Sequence, residues 1–181
     1  MSTGEHSVSA FVITLDEEDN IGPCLDTLRW ADELVVVDSG SRDRTVEIAR
    51  QRADRVLHHE FEGYASQVRY ALAQTTHPWV MWLDADERLT EEAVIEIHEN
   101  FQATGGAGHS GFAFPRRTFF MGRWIKHSGW YPQHKVRLWH REHGQVAGEE
   151  PHPRVDLDRP ARKLDGDILH YSYPRGMRDM V

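Results

Sequence analysis

Residues 79–87 read Trp-Val-Met-Trp-Leu-Asp-Ala-Asp-Glu, an apolar run that passes directly into carboxylates. Trp79 to Leu83 are apolar at odd and even positions alike, so a strand formed here is covered on both faces, as in parallel sheets. Working outward, the same pattern returns. Glu33 to Asp38 (ELVVVD) and Val8 to Thr14 (VSAFVIT) are further apolar strands. Helical spacing follows each one: Asn20 to Trp30 places Ile21, Cys24, Leu25 and Leu28 on one face, Asp43 to Arg52 follows the second strand, and Thr90 to Phe101 follows the run at 79–84. A strand at Arg55 to His58 with a helix over Gly63 to Gln74 adds another such unit. Repeated β-α units require right-handed crossovers into a parallel sheet, which binds ligands beyond the carboxyl ends of its strands. Those ends carry Thr14 to Asp19, Asp38 to Ser41 and Asp84 to Glu87.

After Thr104 the pattern changes. Gly105 to Gly111 reads as a connection, and the remaining third is aromatic, basic and rich in Gly and Pro. Strands are expected at Phe112 to Pro115, Lys135 to His140 and Leu164 to His170, adding antiparallel strands beside the parallel half. The 181 residues hold 29 acidic and 21 basic side chains, a formal charge of -8 that argues against a protein coating nucleic acid. One folded domain is expected over 1–181. Cys24 is the only cysteine, which excludes an intrachain disulfide and a four-cysteine zinc site and fits a reducing cytoplasm. The opening residues lack the basic-then-apolar order of a secretory signal, and no apolar run reaches the ~20 residues of a membrane helix.

Three constellations bear on chemistry. At an extended strand end, residues i and i+2 point to one side, so Asp84 and Asp86 are expected to converge on a hard cation, magnesium or manganese. The plainer alternative is that they solvate the strand end, with Thr90, Glu91 and Glu92 capping the next helix. In Asp38-Ser39-Gly40-Ser41, Asp38 can hold a ribose or base edge and Gly40 permits close backbone approach, while Asp43 or Ser41 caps the helix near Thr45. The turn after the first strand, Thr14 to Asn20, has no glycine, so neither a dinucleotide fingerprint nor a phosphate loop forms there. A phosphate-bearing ligand then needs the cation at Asp84/Asp86 and bases from elsewhere, such as Arg137. His58, His59, His134, His140 and His143 read as surface or hairpin histidines rather than a zinc site. Phe119 to Trp130 reads either as an interfacial loop meeting lipid or as core of the mixed sheet.

Taken together, Thr14-Leu15-Asp16-Glu17-Glu18, Asp38-Ser39-Gly40-Ser41 with Asp43 and Thr45, and Leu83-Asp84-Ala85-Asp86-Glu87 resemble family 2 glycosyltransferases of the GT-A fold. Further matching stretches are Phe119 to Trp124, Gly129 to Pro132, Lys135 to Trp139 and Asp167 to Tyr171. They look most like the branch containing the lipopolysaccharide core glucosyltransferase. The resemblance implies an α/β fold whose mixed sheet is flanked by helices, with a nucleotide-binding half at 8–104 and an acceptor-side half at 105–181. Because relatives continue into further helix, the chain is expected to be truncated at its C-terminus.

The implied activity is inverting transfer from a nucleotide-diphosphate donor, expected to be a UDP-sugar, to a glycan or lipid-linked cell-envelope acceptor. It implies donor contacts from Thr14, Asp16, Glu17, Asp38, Ser39, Gly40, Asp84, Ala85 and Arg137, with Asp84, Asp86 and His170 on a divalent cation. The setting implied is cytoplasmic, with peripheral contact at the inner face of the membrane. An acceptor hydroxyl must lose its proton to a placed base. Related sequences have an acidic residue after the histidine matching His152, where this chain has Pro153. Glu150 is therefore expected to be the base, with Glu149 behind it. Asp16 stands where the family usually has asparagine. Two rival readings are a degenerate nucleotide-sugar-binding module and an aspartate-nucleophile phosphatase; the latter is disfavoured because Glu87 follows Asp86 and the DxD strand is not the first.

Overall fold

The computed structural model describes residues 6–104, 108–120, 122–125, 131–148, 150 and 152–172. Strands β1 (Val8–Thr14), β2 (Glu33–Asp38), β3 (Arg55–His58) and β4 (Trp79–Asp84) are parallel and lie in the order β3-β2-β1-β4. Their register sets Thr14 beside Asp38 and Ile13 beside Asp84, so the acid-bearing strand ends finish level with one another. Helices α1 (Ile21–Asp26), α2 (Thr45–Arg50), α3 (Tyr64–Gln74) and α4 (Glu91–Thr104) cover the sheet. One face packs Ala10, Val12, Val36, Met81 and Leu83 with Leu25, Ala49 and Ile97 of α1, α2 and α4. The other packs Phe11, Ile13, Val35, Val37, Val80 and Trp82 with Val68 and Ala71 of α3. Burial on both faces is what unbroken apolar strands require.

Helices α1 and α2 are six residues each, shorter than the patterns at 20–30 and 43–52. After α1 the amides of Leu28 and Ala31 donate to the carbonyls three residues back, and the Thr27 hydroxyl donates to the Cys24 carbonyl at 2.7 Å. These tighter turns deliver the chain into β2 before another helical turn forms.

A short strand β5 (Glu87–Leu89) precedes α4, and β6 (Gly111–Phe120), β7 (Arg123–Trp124), β8 (Gln133–His140), β9 (Gly144–Ala147), β10 (Arg154–Leu157), β11 (Ala161–Lys163) and β12 (Ile168–Tyr171) follow. Strand β8 joins the sheet antiparallel to both β4 and β6, which extends the parallel half into a mixed sheet of ten strands. Strand β12 runs parallel to β6 and antiparallel to β5, bringing His170 opposite Glu87. The β9-β10 hairpin forms a separate two-stranded sheet. The added antiparallel strands agree with the sequence reading, whereas β5, β7, β9, β10 and β11, of two to four residues each, were not expected from the sequence, because the partner edge defines them.

Of Phe119 to Trp130, Phe119 and Trp124 pack on each other and on Tyr171, with ring centroids 5.1–5.9 Å apart. These described rings behave as sheet packing; residues 121 and 126–130 lie outside the described residues. No helix among the described residues is long and apolar enough to cross a membrane. Trp139 of β8 is fully buried, edge-on to Phe11 of β1 at 6.3 Å, in a cluster that also holds Val155 and Leu157 of the hairpin. The two halves therefore share one core. Trp139→Ala is expected to cost about 3–5 kcal/mol. In urea titrations followed by far-UV circular dichroism, unfolding should remain a single transition at lower denaturant; two separate transitions would show independent halves.

Candidate active site

A cleft of about 1150 Å³ opens at the carboxyl ends of β1 and β4. Asp16 and Glu17 line it from the loop after β1, Asp84 and Asp86 from the end of β4, Arg116, Lys135 and Arg137 from β6 and β8, and His170 from β12. The segment from His152 to Val155 lines it as well.

The acidic loop after β1 is held by the loop after β2. The amides of Asp16, Glu17 and Glu18 donate to Ser41 Oγ at 2.9 Å, Thr45 Oγ1 at 2.7 Å and Asp43 Oδ2 at 3.0 Å. In return the Arg42 amide donates to Asp16 Oδ1 at 2.6 Å and the Arg44 amide to Glu18 Oε2 at 3.1 Å. Asp16 takes φ = +53°, a conformation Asp tolerates better than most residues. Asp43 also accepts the Thr45 amide and hydroxyl, which satisfies the start of α2 as expected.

Asp38 is buried, and its carboxylate accepts the amides of Gly40 and Ser41 at 2.9 and 3.0 Å and the Ser41 hydroxyl. Both its oxygens thus organise its own loop, in which Gly40 sits at φ = +99°. Ser39 accepts from Gln67 of α3 at 2.8 Å, and its amide donates to the Thr14 carbonyl. Thr14 is buried and Ala85 packs in the core. Of the residues expected to contact a donor, Asp16, Glu17, Asp84 and Arg137 line the cleft, whereas Thr14, Asp38 and Ala85 are buried and Ser39 and Gly40 are not among its lining residues.

The heart of the site is an ion cluster around Glu87, which is wholly inaccessible. Phe112 pairs with Leu138 and Ala113 with Val136, so Arg137 is the extra residue of a bulge in β8, a device that re-aims a side chain. Its guanidinium reaches Asp84 Oδ2 at 2.8 Å and Glu87 at 2.8–2.9 Å, and it lies 4.1 Å from the Trp82 ring centroid. Arg116 adds a contact to Glu87 at 2.9 Å. Trp82 Nε1 donates to Asp84 Oδ1 at 3.2 Å, so both Asp84 oxygens have partners. Burial raises the Asp84 carboxyl to about 6 against the opposing pull of Arg137. Burial would raise Glu87 too, but Arg137 and Arg116 outweigh it and hold that carboxyl below its usual range. Lys135 is lowered by partial burial and by repulsion from Arg116 and Arg137.

Asp86 and His170 meet at 3.0 Å through Oδ2 and Nε2, and His170 Nδ1 lies 3.4 Å from the Thr118 hydroxyl. Two carboxylates and an imidazole are suitable donors for a divalent cation. A turn follows β4, and both carboxylates line the cleft, Asp84 facing Arg137 and Trp82 and Asp86 facing His170. Among the described residues no group of three carboxylate, imidazole or thiol side chains is placed to hold one ion together.

Glu150 caps the start of α3, accepting the Tyr64 and Ala65 amides at 2.7 Å each. Glu149 lies outside the described residues. His143 pairs with Asp158 at 2.8 Å and its ring is 5.2 Å from His140, a hairpin arrangement. The residues that motif reading passed over are Glu87, Arg116 and Lys135. Arginines inside the apolar runs FAFPRR and KVRLW were the available signal, because a buried guanidinium needs a counter-ion. Glu87→Gln would leave two arginines short of their charge partner, and a loss of about 3–5 kcal/mol is expected. Urea unfolding of E87Q measures it, with E47Q, at the exposed Arg44–Glu47 pair, expected to show no measurable change.

Residues 9–158 match the family described as Glycosyl transferase family 2. The chain is 40% identical over 95 residues to the lipopolysaccharide core biosynthesis glycosyltransferase LpsC of Rhizobium meliloti (strain 1021), covering 50% of this chain and 35% of that protein. It is 42% identical over 78 residues to a dolichyl-phosphate hexose transferase of Haloferax volcanii, covering 41% of this chain and 34% of that one. It thus spans about a third of the length of these curated relatives. Among solved structures, S. aureus TarS 1-349 in complex with UDP-GlcNAc superposes with a TM-score of 0.54 at 22% identity, over 67% of this chain and 37% of that one. A mycobacterial protein gives 0.51 at 26%, over 65% and 43%. These likenesses show the fold, a GT-A mixed sheet with added antiparallel strands. With the matched region running from β1 through the cleft to β10, the chain belongs to glycosyl transferase family 2.

Proposed function

We propose that the chain is an inverting glycosyltransferase that moves a sugar from a nucleotide diphosphate, best matched by a UDP-sugar, to a glycan or lipid-linked acceptor of the cell envelope such as lipopolysaccharide core. The observation that carries this reading is the cleft, in which Asp84, Asp86 and His170 stand beside Arg116, Lys135 and Arg137 at the carboxyl ends of the strands. Its volume of about 1150 Å³ exceeds that of an ordinary small-molecule site, consistent with room for donor and acceptor together. LpsC is named for lipopolysaccharide core synthesis, and the TarS structure holds UDP-GlcNAc; both support the substrate classes proposed.

The three bases neutralise a diphosphate, the role a glycine-rich loop does not fill here. Asp86, His170 and Asp84 would hold a divalent cation, Asp84 after exchanging its contact with Arg137. Such a cation, manganese or magnesium, supplies charge stabilisation to the leaving diphosphate. Asp16 and Glu17 face the donor, while Asp38, Ser39, Gly40 and Thr14 set the loop that carries them. The acceptor oxygen attacks the anomeric carbon opposite the leaving group, which inverts its configuration. A site of action at the inner face of the cytoplasmic membrane follows from an envelope acceptor.

A second reading, nucleotide-sugar binding without turnover, draws on the engagement of the Glu150 carboxylate with α3. A phosphatase reading fares worse, because Glu87 follows Asp86 and the strand carrying Asp84 is the fourth in the chain rather than the first. Thermal-shift titrations with UDP, GDP, CDP and their sugar conjugates, with and without manganese, test the proposal. Ligand at a hundred times its dissociation constant adds ~2.7 kcal/mol. A manganese-dependent shift with a uridine nucleotide is expected, and its absence with every nucleotide would sink the reading. Asp86→Ala should keep the fold but lose the manganese-dependent part; an unchanged shift removes Asp86 from the cation.

A further inference from the structure

Glu150 lies far from its helix in sequence but close in space. Its Oε2 accepts the Tyr64 amide and its Oε1 the Ala65 amide, each at 2.7 Å. These two N–H groups open α3, where no partner exists within the helix and the dipole favours a negative charge. Gly63, immediately before, has φ = +118°, and a Cβ there would stand 2.9 Å from Glu150 Oε1. The approach is thus built for this carboxylate. Both of its oxygens are occupied by backbone donors, and Glu150 is not among the residues lining the cleft.

Two residues along, His152 lines the cleft, exposed and with no hydrogen bond or ion pair among the described residues. Pro153 follows it, fixing the backbone at that point. The carboxylates Asp16 and Glu18 are engaged with loop amides, Glu17 with Asn20, Asp43 with Thr45, Asp84 with Arg137 and Trp82, and Asp86 with His170. His134 also lines the cleft, on β8 next to Lys135 and opposite Pro115.

We propose that Glu150 is a positioning residue, a clasp that ties the segment entering β10 to the start of α3, and that His152 is the base it holds in the cleft. The proposal rests on the transferase reading above. A neutral ring nitrogen of His152 takes the proton of the acceptor hydroxyl as that oxygen bonds to the anomeric carbon. The bond from that carbon to the diphosphate oxygen breaks, and its electron pair departs with the nucleoside diphosphate.

The test compares E150A, E150Q, H152A and H134A with the wild-type chain by amide exchange and by release of UDP from UDP-glucose and UDP-N-acetylglucosamine, with deacylated lipopolysaccharide core or water as the acceptor hydroxyl. In E150A the Tyr64 and Ala65 amides should exchange at least about tenfold faster with far-UV dichroism unchanged, and E150Q, which keeps one acceptor oxygen, should fall between. In H152A those amides should stay protected while kcat falls by about 10²–10⁴ with donor KM unchanged, and added imidazole should restore part of the rate. E150A should lose less rate, without rescue by formate, and any rate lost in H134A should not be restored by imidazole. If E150A fails to fold, E150Q supplies the exchange comparison.

Unchanged exchange at Tyr64 and Ala65 overturns the clasp. Formate rescue of E150A makes Glu150 the base, and wild-type turnover in H152A, or imidazole rescue confined to H134A, removes His152. A wild-type chain that binds UDP yet releases none from either sugar nucleotide sinks the transferase reading and the proton-accepting role with it, leaving the clasp to be judged by exchange alone.

Discussion

Glu87 sits at 0% exposure in contact with two guanidiniums, and most of the site's geometry follows from it. A carboxylate cannot be buried alone, and two arginines cannot be either; together they satisfy one another. The three charges come from β5, β6 and β8, so their pairing joins the strand that follows the parallel half to the antiparallel strands beside it. Arg137 reaches this position because the bulge in β8 turns it out of the regular alternation. From there it also meets Asp84, placing a fixed positive charge at the end of β4. The cleft's opposing charges are thus held by the fold before any ligand enters.

The same economy appears in the acidic loops. A run such as Asp16-Glu17-Glu18-Asp19 would repel itself if its members merely faced solvent. Here the loop amides donate into Ser41, Asp43 and Thr45, and two of its carboxylates accept amides in return. The loops after β1 and β2 thereby become one rigid edge of the cleft. This division of labour separates residues that face the ligand space, such as Asp16 and Asp84, from residues such as Asp38 that shape the backbone behind it. Glu150 belongs to the second kind although it lies in the segment facing the cleft.

How much of this was legible depended on the range of the forces involved. Strands β1, β2 and β4 were plain from unbroken apolar runs, and α3 and α4 from their spacing. The shortness of α1 and α2 was not, because the tight turns that end α1 serve the entry into the next strand. The local turn at Asp38 could have been read from Asp-Ser-Gly-Ser, a sequence that bonds its own backbone, and it competes with the ligand reading. Asp84 and Asp86 were expected to share a side on strand geometry; the chain leaves β4 at Asp84, so it is the turn and not the strand that brings Asp86 to the cleft and to His170.

By itself the sequence determined the α/β class, the parallel order of β-α units and the end of the sheet at which a cleft must lie, because apolar periodicity and crossover handedness act over a few tens of residues. The tertiary structure alone decided what each carboxylate does. Glu87 meets arginines 29 and 50 positions away, and Glu150 caps an amide 86 positions away. A carboxylate's role is set by the donors brought against it, and those donors are assembled only when the sheet closes.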